Sequence, residues 1–382
     1  MNKAKSICFF LNVTRPFLKS SRFLSKLKKN NRISLSKAGV FLSRTGVFLS
    51  KINRFFTLKV VCIFLSAVLA ISFLCGCKNE SVRNFFAADT FCSISIFGNG
   101  REHLDGAVSL CNSLSRTLDC KNKDSELYAL NLSGHAENVN EDLKKAIEIG
   151  LYYSKLSGGI FDITVKPVTD LWDFKRKELP EKSELLKAAK LVNYKNVEII
   201  GNNIVLKNNC KIDLGSLGKG YIADRVRDYL VERNVGSAII NLGGNVTVIG
   251  KNKNRPFSVG IQKPFSNELI ASFSAEDCSV VTSGTYQRYI EKDSVIYHHL
   301  LDTKTGMPVQ NGITSVTVIT KDSEKADPLS TILFLMGYEK GMEFVKKTDG
   351  IEAVFIDTNG EIHLSPGLDT DKNMNIFLKS DL

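Results

Sequence analysis

The chain has 382 residues and a formal net charge of +11. The charge is concentrated at one end: residues 1–59 hold 14 Lys/Arg and no Asp/Glu, and subtracting those 14 from +11 leaves −3 for the rest. That balance excludes a nucleic-acid partner for the globular part.

In residues 1–59, Phe-Leu-Ser-Lys/Arg recurs at Phe23, Phe41 and Phe48. The repeat suits a basic amphipathic helix on an anionic membrane, or a discarded extension ahead of the true start. Residues 60–76 are uncharged and nearly all apolar, and they end in Leu74-Cys75-Gly76-Cys77. That length suits the apolar region of a signal peptide better than a spanning helix. The small residues before Cys77 resemble the lipobox of bacterial lipoproteins. The resemblance implies cleavage before Cys77, a lipid on its sulfur, a tether over 77–84, and residence on the extracytoplasmic (periplasmic) side of the cell membrane. The alternative is an uncleaved membrane anchor, with the same sidedness.

From residue 85 to about 370 the pattern is that of one α+β unit, or two subdomains, with no proline- or serine-rich linker. Ala87–Phe97 alternates as a strand, and Glu102–Leu118 places Leu104, Ala107, Cys111 and Leu114 on one helical face. Asp142–Ser157 and Ser183–Leu191 read as further helices. Val197–Ile200 and Ile204–Leu206 flank Gly201-Asn202-Asn203 as a hairpin. Asp213-Leu214-Gly215-Ser216-Leu217-Gly218-Lys219-Gly220 threads an acid, a hydroxyl and a lysine through glycines before a helix over Ile222–Glu232. Such a loop can cradle phosphate on backbone N–H groups, or be a plain strand-to-helix turn; its spacing is not that of a P-loop.

Short strands follow at 238–242, 246–249, 257–261, 271–274 and 279–282. Tyr286–Ile290 pairs with Val295–Leu301, and Ser315–Ile319 is a strand. Asp327–Met336 and Gly341–Lys346 are helices, and Ala353–Ile356 closes a hairpin with Glu361–Leu364. Cys92, Cys111, Cys120, Cys210 and Cys278 form no Cys-x-x-Cys pair and read as free thiols.

Several segments, taken in order, resemble one family: Ala87-Ala88-Asp89-Thr90; Ser157-Gly158-Gly159-Ile160-Phe161-Asp162; the glycine loop; Asn241-Leu242-Gly243-Gly244-Asn245; Thr282-Ser283-Gly284; His298 to Gly306; and Ala326-Asp327-Pro328-Leu329-Ser330-Thr331. Over roughly residues 85–365 the chain resembles the ApbE family of bacterial FAD:protein FMN transferases. The resemblance implies an ApbE-like fold with mixed or antiparallel sheets and helices packed on them. It implies a reaction dependent on Mg2+ or another divalent cation, in which FAD is cleaved, AMP leaves, and FMN is joined by a phosphodiester to a threonine or serine hydroxyl of a membrane flavoprotein subunit. Some relatives transfer FMN to water, as FAD pyrophosphatases. A non-catalytic FAD-binding lipoprotein is the reading from another class.

The same resemblance assigns Asp327 and Thr331 as metal ligands, with Ser216 supplying an oxygen. It assigns His299 as activator of the acceptor hydroxyl, and Ala88, Thr117, Ile160, Phe161, Asp162, Asp213, Lys219, Leu301 and Ser330 to the FAD. Elementary chemistry stands beside it. Asp327 and Thr331 are one helical turn apart, so both oxygens can face one ion; alternatively Asp327 caps its helix, with Pro328 at the first position. A neutral imidazole can take a hydroxyl proton, and only one of the adjacent His298 and His299 can face the site from a strand. Asp302 either orients that histidine or caps the turn to Gly306. Lys219, read alone, is a solvated lysine at a helix start. The chain departs from the family pattern at Ala88 (commonly Met), at Asp89 (commonly Gly) and at Arg116, where a tyrosine commonly follows the Leu-Ser pair.

Overall fold

The computed structural model describes residues 80–368 and the backbone of Met374–Ile376. The basic extension, the apolar segment and Cys77 lie outside the described residues.

An eight-stranded sheet, antiparallel throughout, organises the molecule in the order β1-β2-β6-β7-β10-β13-β14-β15. Its strands are β1 (Glu80–Ala87), β2 (Thr90–Phe97), β6 (Ser237–Leu242), β7 (Asn245–Gly250), β10 (Ser279–Gly284), β13 (Ile313–Thr320), β14 (Ile351–Asp357) and β15 (Ile362–Leu364). Smaller sheets are β3 (His135–Ala136) with β5 (Asn203–Leu206) and β4 (Val197–Ile200); β16 (Met374–Ile376) with β9 (Leu269–Ala275) and β8 (Phe257–Gln262); and the hairpin of β11 (Tyr289–Lys292) with β12 (Val295–His298).

The helices are α1 (Leu104–Thr117), α2 (Glu126–Ser133), α3 (Glu141–Leu156), α4 (Lys166–Thr169), α5 (Lys182–Ala189), α6 (Gly218–Val231), α7 (Ser323–Met336) and α8 (Tyr338–Lys346). Helix α3 shows why such segments fold. The Asn140 side chain accepts the Asp142 N–H, Glu141 and Asp142 occupy the first turn, and Leu143, Ala146, Ile147, Gly150 and Tyr153 bury one face.

One face of the large sheet carries α1, α6, α7 and α8 over the main apolar core. The other face packs Val248, Val280, Ile319 and Val354 against Phe257, Val259 and Ile261 of the β8–β9 sheet. Covered on both sides, β13 is buried at every residue. The α+β expectation therefore holds, as do both expected hairpins.

Three local expectations need correction. The strand expected over 87–97 is the second arm of a hairpin, and Ala88-Asp89 is its two-residue loop, with φ of 48° and 57°. Such loops favour Asn-Gly; here the Ala88 N–H bonds Ser115 Oγ at 2.8 Å instead. Helix α6 starts at Gly218, four residues before the expected Ile222. Helix α7 starts at Ser323, so Asp327 is not its cap and Pro328 lies inside it.

Candidate functional site

Strand register sets where the chemistry gathers. The turn Ala88-Asp89 precedes β2, Gly243-Gly244 joins β6 to β7, and Thr282–Gly284 ends β10. The pairings Cys92↔Leu242 and Val281↔Asn245 put all three at one end of the sheet. Gly243 has φ of 63°, and a Cβ there would lie 2.2 Å from Thr90 Oγ1, so the two turns touch and glycine is required.

Helices α6 and α7 bring the charged residues to this end by an exchange of caps. Asp224 of α6 accepts the N–H of Ser323 and Glu324, at 3.0 and 2.9 Å, in the first turn of α7. Asp327 of α7 accepts the Gly220 N–H at 2.8 Å in the first turn of α6. Each carboxylate thus satisfies donors that a helix start leaves free, from the neighbouring helix rather than its own. A Cβ on Gly220 would lie 2.3 Å from the Ser323 carbonyl oxygen and 2.7 Å from Asp327 Cβ. Gly220→Ala is expected to cost about 1–3 kcal/mol of stability by forcing the helices apart; thermal unfolding of the variant checks it, together with loss of whatever depends on Asp327.

The exchange places Lys219 Nζ 3.7 Å from Asp327 Oδ1. Asp327 is 3 % exposed, and burial raises its pKa, against which Lys219 and the Gly220 N–H favour the ionised form. Asn245 also favours that form, although its buried Nδ2 completes no hydrogen bond by distance and angle. Beside the carboxylate runs a hydroxyl chain. Ser330 Oγ donates to the Asp327 carbonyl at 2.8 Å, and Ser283 Oγ lies 2.7 Å from Ser330 Oγ and 3.3 Å from Thr331 Oγ1. The donors offered by Asp327, Ser330, Thr331 and Ser283 are all oxygen, which fits a hard divalent cation. Ser216 stands in the bend two residues ahead of α6 and three ahead of Lys219. Of the first α6 donors, Gly218 N–H bonds the Leu214 carbonyl and Gly220 N–H bonds Asp327, so the phosphate-cradling capacity of this helix start is largely spent within the protein.

The two histidines separate cleanly. His298 is 2 % exposed, its ring edge-on to Phe334. Its Nδ1 accepts the Leu300 N–H, so Nε2 carries the proton and donates to the Val309 carbonyl at 3.0 Å. Burial pushes its pKa down to about 4. Below the unfolded value of 6.5 the unfolded chain binds the proton first. This group's stabilisation, about 3 kcal/mol, is therefore complete above pH 6.5 and lost as pH falls towards 4. Asp224, raised to about 6 by burial, has the opposite slope, so a global melt mixes the two. NMR of the His298 ring is the direct check, and it is expected to stay neutral with the proton on Nε2 at pH 5.5.

His299 is the half-buried one, one residue past β12. Its Nδ1 lies 3.3 Å from the Arg288 carbonyl oxygen, which can only accept; the proton therefore sits on Nδ1 and the Nε2 lone pair is free. Burial, then the Arg288 charge, pushes its pKa down to about 3, with His298 and Lys219 adding to the effect. Lys219 is the common neighbour: it pairs with Asp327, and its charge reaches the His299 ring and the Cys92 thiol.

Other expected residues have mixed placements. Asp213 accepts Gly215 N–H and Thr169 Oγ1–H at 2.9 and 2.8 Å, holding the glycine loop. Asp162 spends its carboxylate on Thr164 and on the Tyr194 N–H. Phe161 is core, and Ile160 is exposed. Thr303 Oγ1 donates to the Gly159 carbonyl at 2.8 Å, tying that segment to the chain beyond His299. Leu301 is buried with Val168, Trp172 and Ile290. Asp302 caps its turn, accepting the Lys304 and Thr305 N–H groups. Thr117 ends α1 and bonds the Ser113 carbonyl. The four buried cysteines and the half-buried Cys278 are free thiols. The sequence reading missed Asp224, Arg288 and the part played by Ser283, although Ser283 lies within a motif it noted.

Comparison with known proteins places the chain in a family and matches its fold. A profile of the ApbE family matches residues 88–355. The FAD:protein FMN transferase of Klebsiella pneumoniae (strain 342) is 36% identical over 238 residues, 60% of this chain and 74% of the relative. That of Treponema pallidum (strain Nichols) is 28% identical over 347 residues, 81% of this chain and 96% of the relative. Among solved structures, the ApbE protein of Thermotoga maritima superposes with a TM-score of 0.71 at 28% identity, over 75% of this chain and 97% of its own. The flavin transferase ApbE of Vibrio cholerae superposes at 0.67 and 25% identity, over 75% and 97%.

Proposed function

The chain belongs to the ApbE family, and from that membership we propose that it is an FAD:protein FMN transferase that joins FMN by a phosphodiester to a threonine or serine hydroxyl of a partner flavoprotein and releases AMP. The observation that carries this reading is the free Nε2 of a neutral His299 near Lys219, which itself pairs with the buried Asp327. An acceptor hydroxyl gives its proton to His299 Nε2 as its oxygen attacks the flavin-side phosphorus. A new P–O bond forms, the bond to the bridging oxygen breaks, and AMP leaves with the electron pair. Lys219 offers positive charge to the diphosphate. Asp327, Thr331 and Ser216 would hold Mg2+, which when bound screens the diphosphate and stabilises the leaving group.

We also propose that the protein works at the extracytoplasmic face of the membrane, anchored through a lipid on Cys77; the support is the apolar segment and the Gly76-Cys77 junction. Incubation of the protein with FAD, Mg2+ and a threonine-bearing acceptor domain tests the chemistry by mass spectrometry. An FMN-sized adduct on a hydroxyl residue supports transfer. AMP release without acceptor and without adduct supports hydrolysis instead.

A further inference from the structure

The β11–β12 hairpin carries a charged residue that the reading above does not use. Tyr289 and His298 form the last pair of the ladder, and the residues just outside it, Arg288 before β11 and His299 after β12, are joined through the backbone. The Arg288 carbonyl accepts both the His299 backbone N–H, at 3.1 Å, and its ring Nδ1–H, at 3.3 Å. With the backbones joined in this way, the Arg288 charge acts on the imidazole, so the guanidinium stands in the neighbourhood of the ring. Arg288 is exposed, and among the described residues it has no carboxylate within 4.0 Å. Lys219, whose charge the transfer reading sets at the diphosphate, is by contrast paired with Asp327.

We propose that Arg288 is a phosphoryl-group ligand of this site, its guanidinium engaging the flavin-side phosphate of FAD beside His299. An unpaired guanidinium offers a planar fork of donors matched to phosphate oxygens, which a lysine cannot reproduce. As the acceptor oxygen attacks, charge accumulates on the equatorial oxygens of that phosphate, and a fixed cation there lowers the barrier. Backbone and side chain divide the work: the Arg288 carbonyl sets the His299 tautomer and the guanidinium meets the group being transferred. Because the tautomer is held by the backbone, replacing the side chain leaves His299 in place. The proposal rests on the transferase reading for its chemistry but not for its binding contact.

The test uses the purified full chain and its R288A and R288K variants. Binding of FMN and of riboflavin, which lacks the phosphate, is measured by flavin fluorescence. R288A is expected to lose about tenfold or more in FMN affinity, with riboflavin affinity unchanged within about twofold. In transfer assays kcat of R288A is expected to fall about 10²-fold or more, to be partly restored by added guanidinium ion, and to be intermediate in R288K. Wild-type FMN affinity in R288A, with kcat within about threefold of wild type, would overturn the proposal. If the wild-type protein makes no adduct on any hydroxyl acceptor while R288A still loses FMN but not riboflavin, the transferase reading fails and the phosphate contact stands.

Discussion

His299→Ala is expected to lower the rate of FMN attachment by about 10²–10⁴-fold with little change in FAD affinity, because in the proposed mechanism the imidazole acts on the acceptor proton rather than on the dinucleotide. Adduct formation followed by mass spectrometry, with FAD titrated separately, distinguishes the two effects. The wild-type pH profile carries a further expectation. Burial and the nearby Arg288 hold His299 neutral, with a pKa of about 3, so transfer should show no acid limb at the ordinary histidine value of 6.5. A limb near 6.5 that disappears in H299A would mean the ring is not held as the geometry states. His298→Ala should behave differently, losing thermal stability through the void beside Phe334 and the unpaired Val309 carbonyl.

Asp327→Asn is the second large effect. The amide can still accept the Gly220 N–H, so the exchange of caps survives, while the charge available to a cation disappears. Transfer is expected to fall at least about 10²-fold, with the remaining rate requiring far more Mg2+ to saturate. Stability should be nearly unchanged. A buried carboxylate whose pKa is raised by burial costs free energy to keep ionised, and the partner left behind, Lys219, is 28% exposed on its side chain and can turn to water. Melting temperature measured beside activity checks both halves; a variant that unfolds readily but transfers normally when folded would reverse the assignment.

Much of the fold was legible because its signals are local. The amphipathic runs of α1 and α3 and the Gly201 turn between β4 and β5 depend on residues a few positions apart. Helix α2 was legible and overlooked: Ser125 accepts the Tyr128 N–H at its start, and Gly134, with φ of 77°, ends it. The starts of α6 and α7 were hidden for a physical reason. Gly218-Lys219-Gly220 opposes helix by propensity, and Pro328 suggests a first position. Yet Asp224 and Asp327 supply caps from about a hundred residues away in sequence, separations of 99 and 107. The Ala88-Asp89 loop was equally hidden, since neither residue is the glycine that such a turn favours. For the site, the spacing of Asp327 and Thr331 pointed to a shared helical face, and family resemblance chose between the two histidines. Arg288 gave no sign, because only the folding of the β11–β12 hairpin brings its carbonyl to His299.

The mutual capping of α6 and α7 means that Asp327 answers to two claimants. The Gly220 amide draws on one carboxylate that the proposed cation would share, so on that proposal occupation of the site would reach into the docking of two helices, and a change in their docking would reach back to the ion. Ligand affinity and interior rigidity are in this sense a single quantity viewed from two ends. A larger residue at position 220, by parting the helices, would on the same proposal be felt first as a poorer grip on the cation, well before the protein ceased to fold.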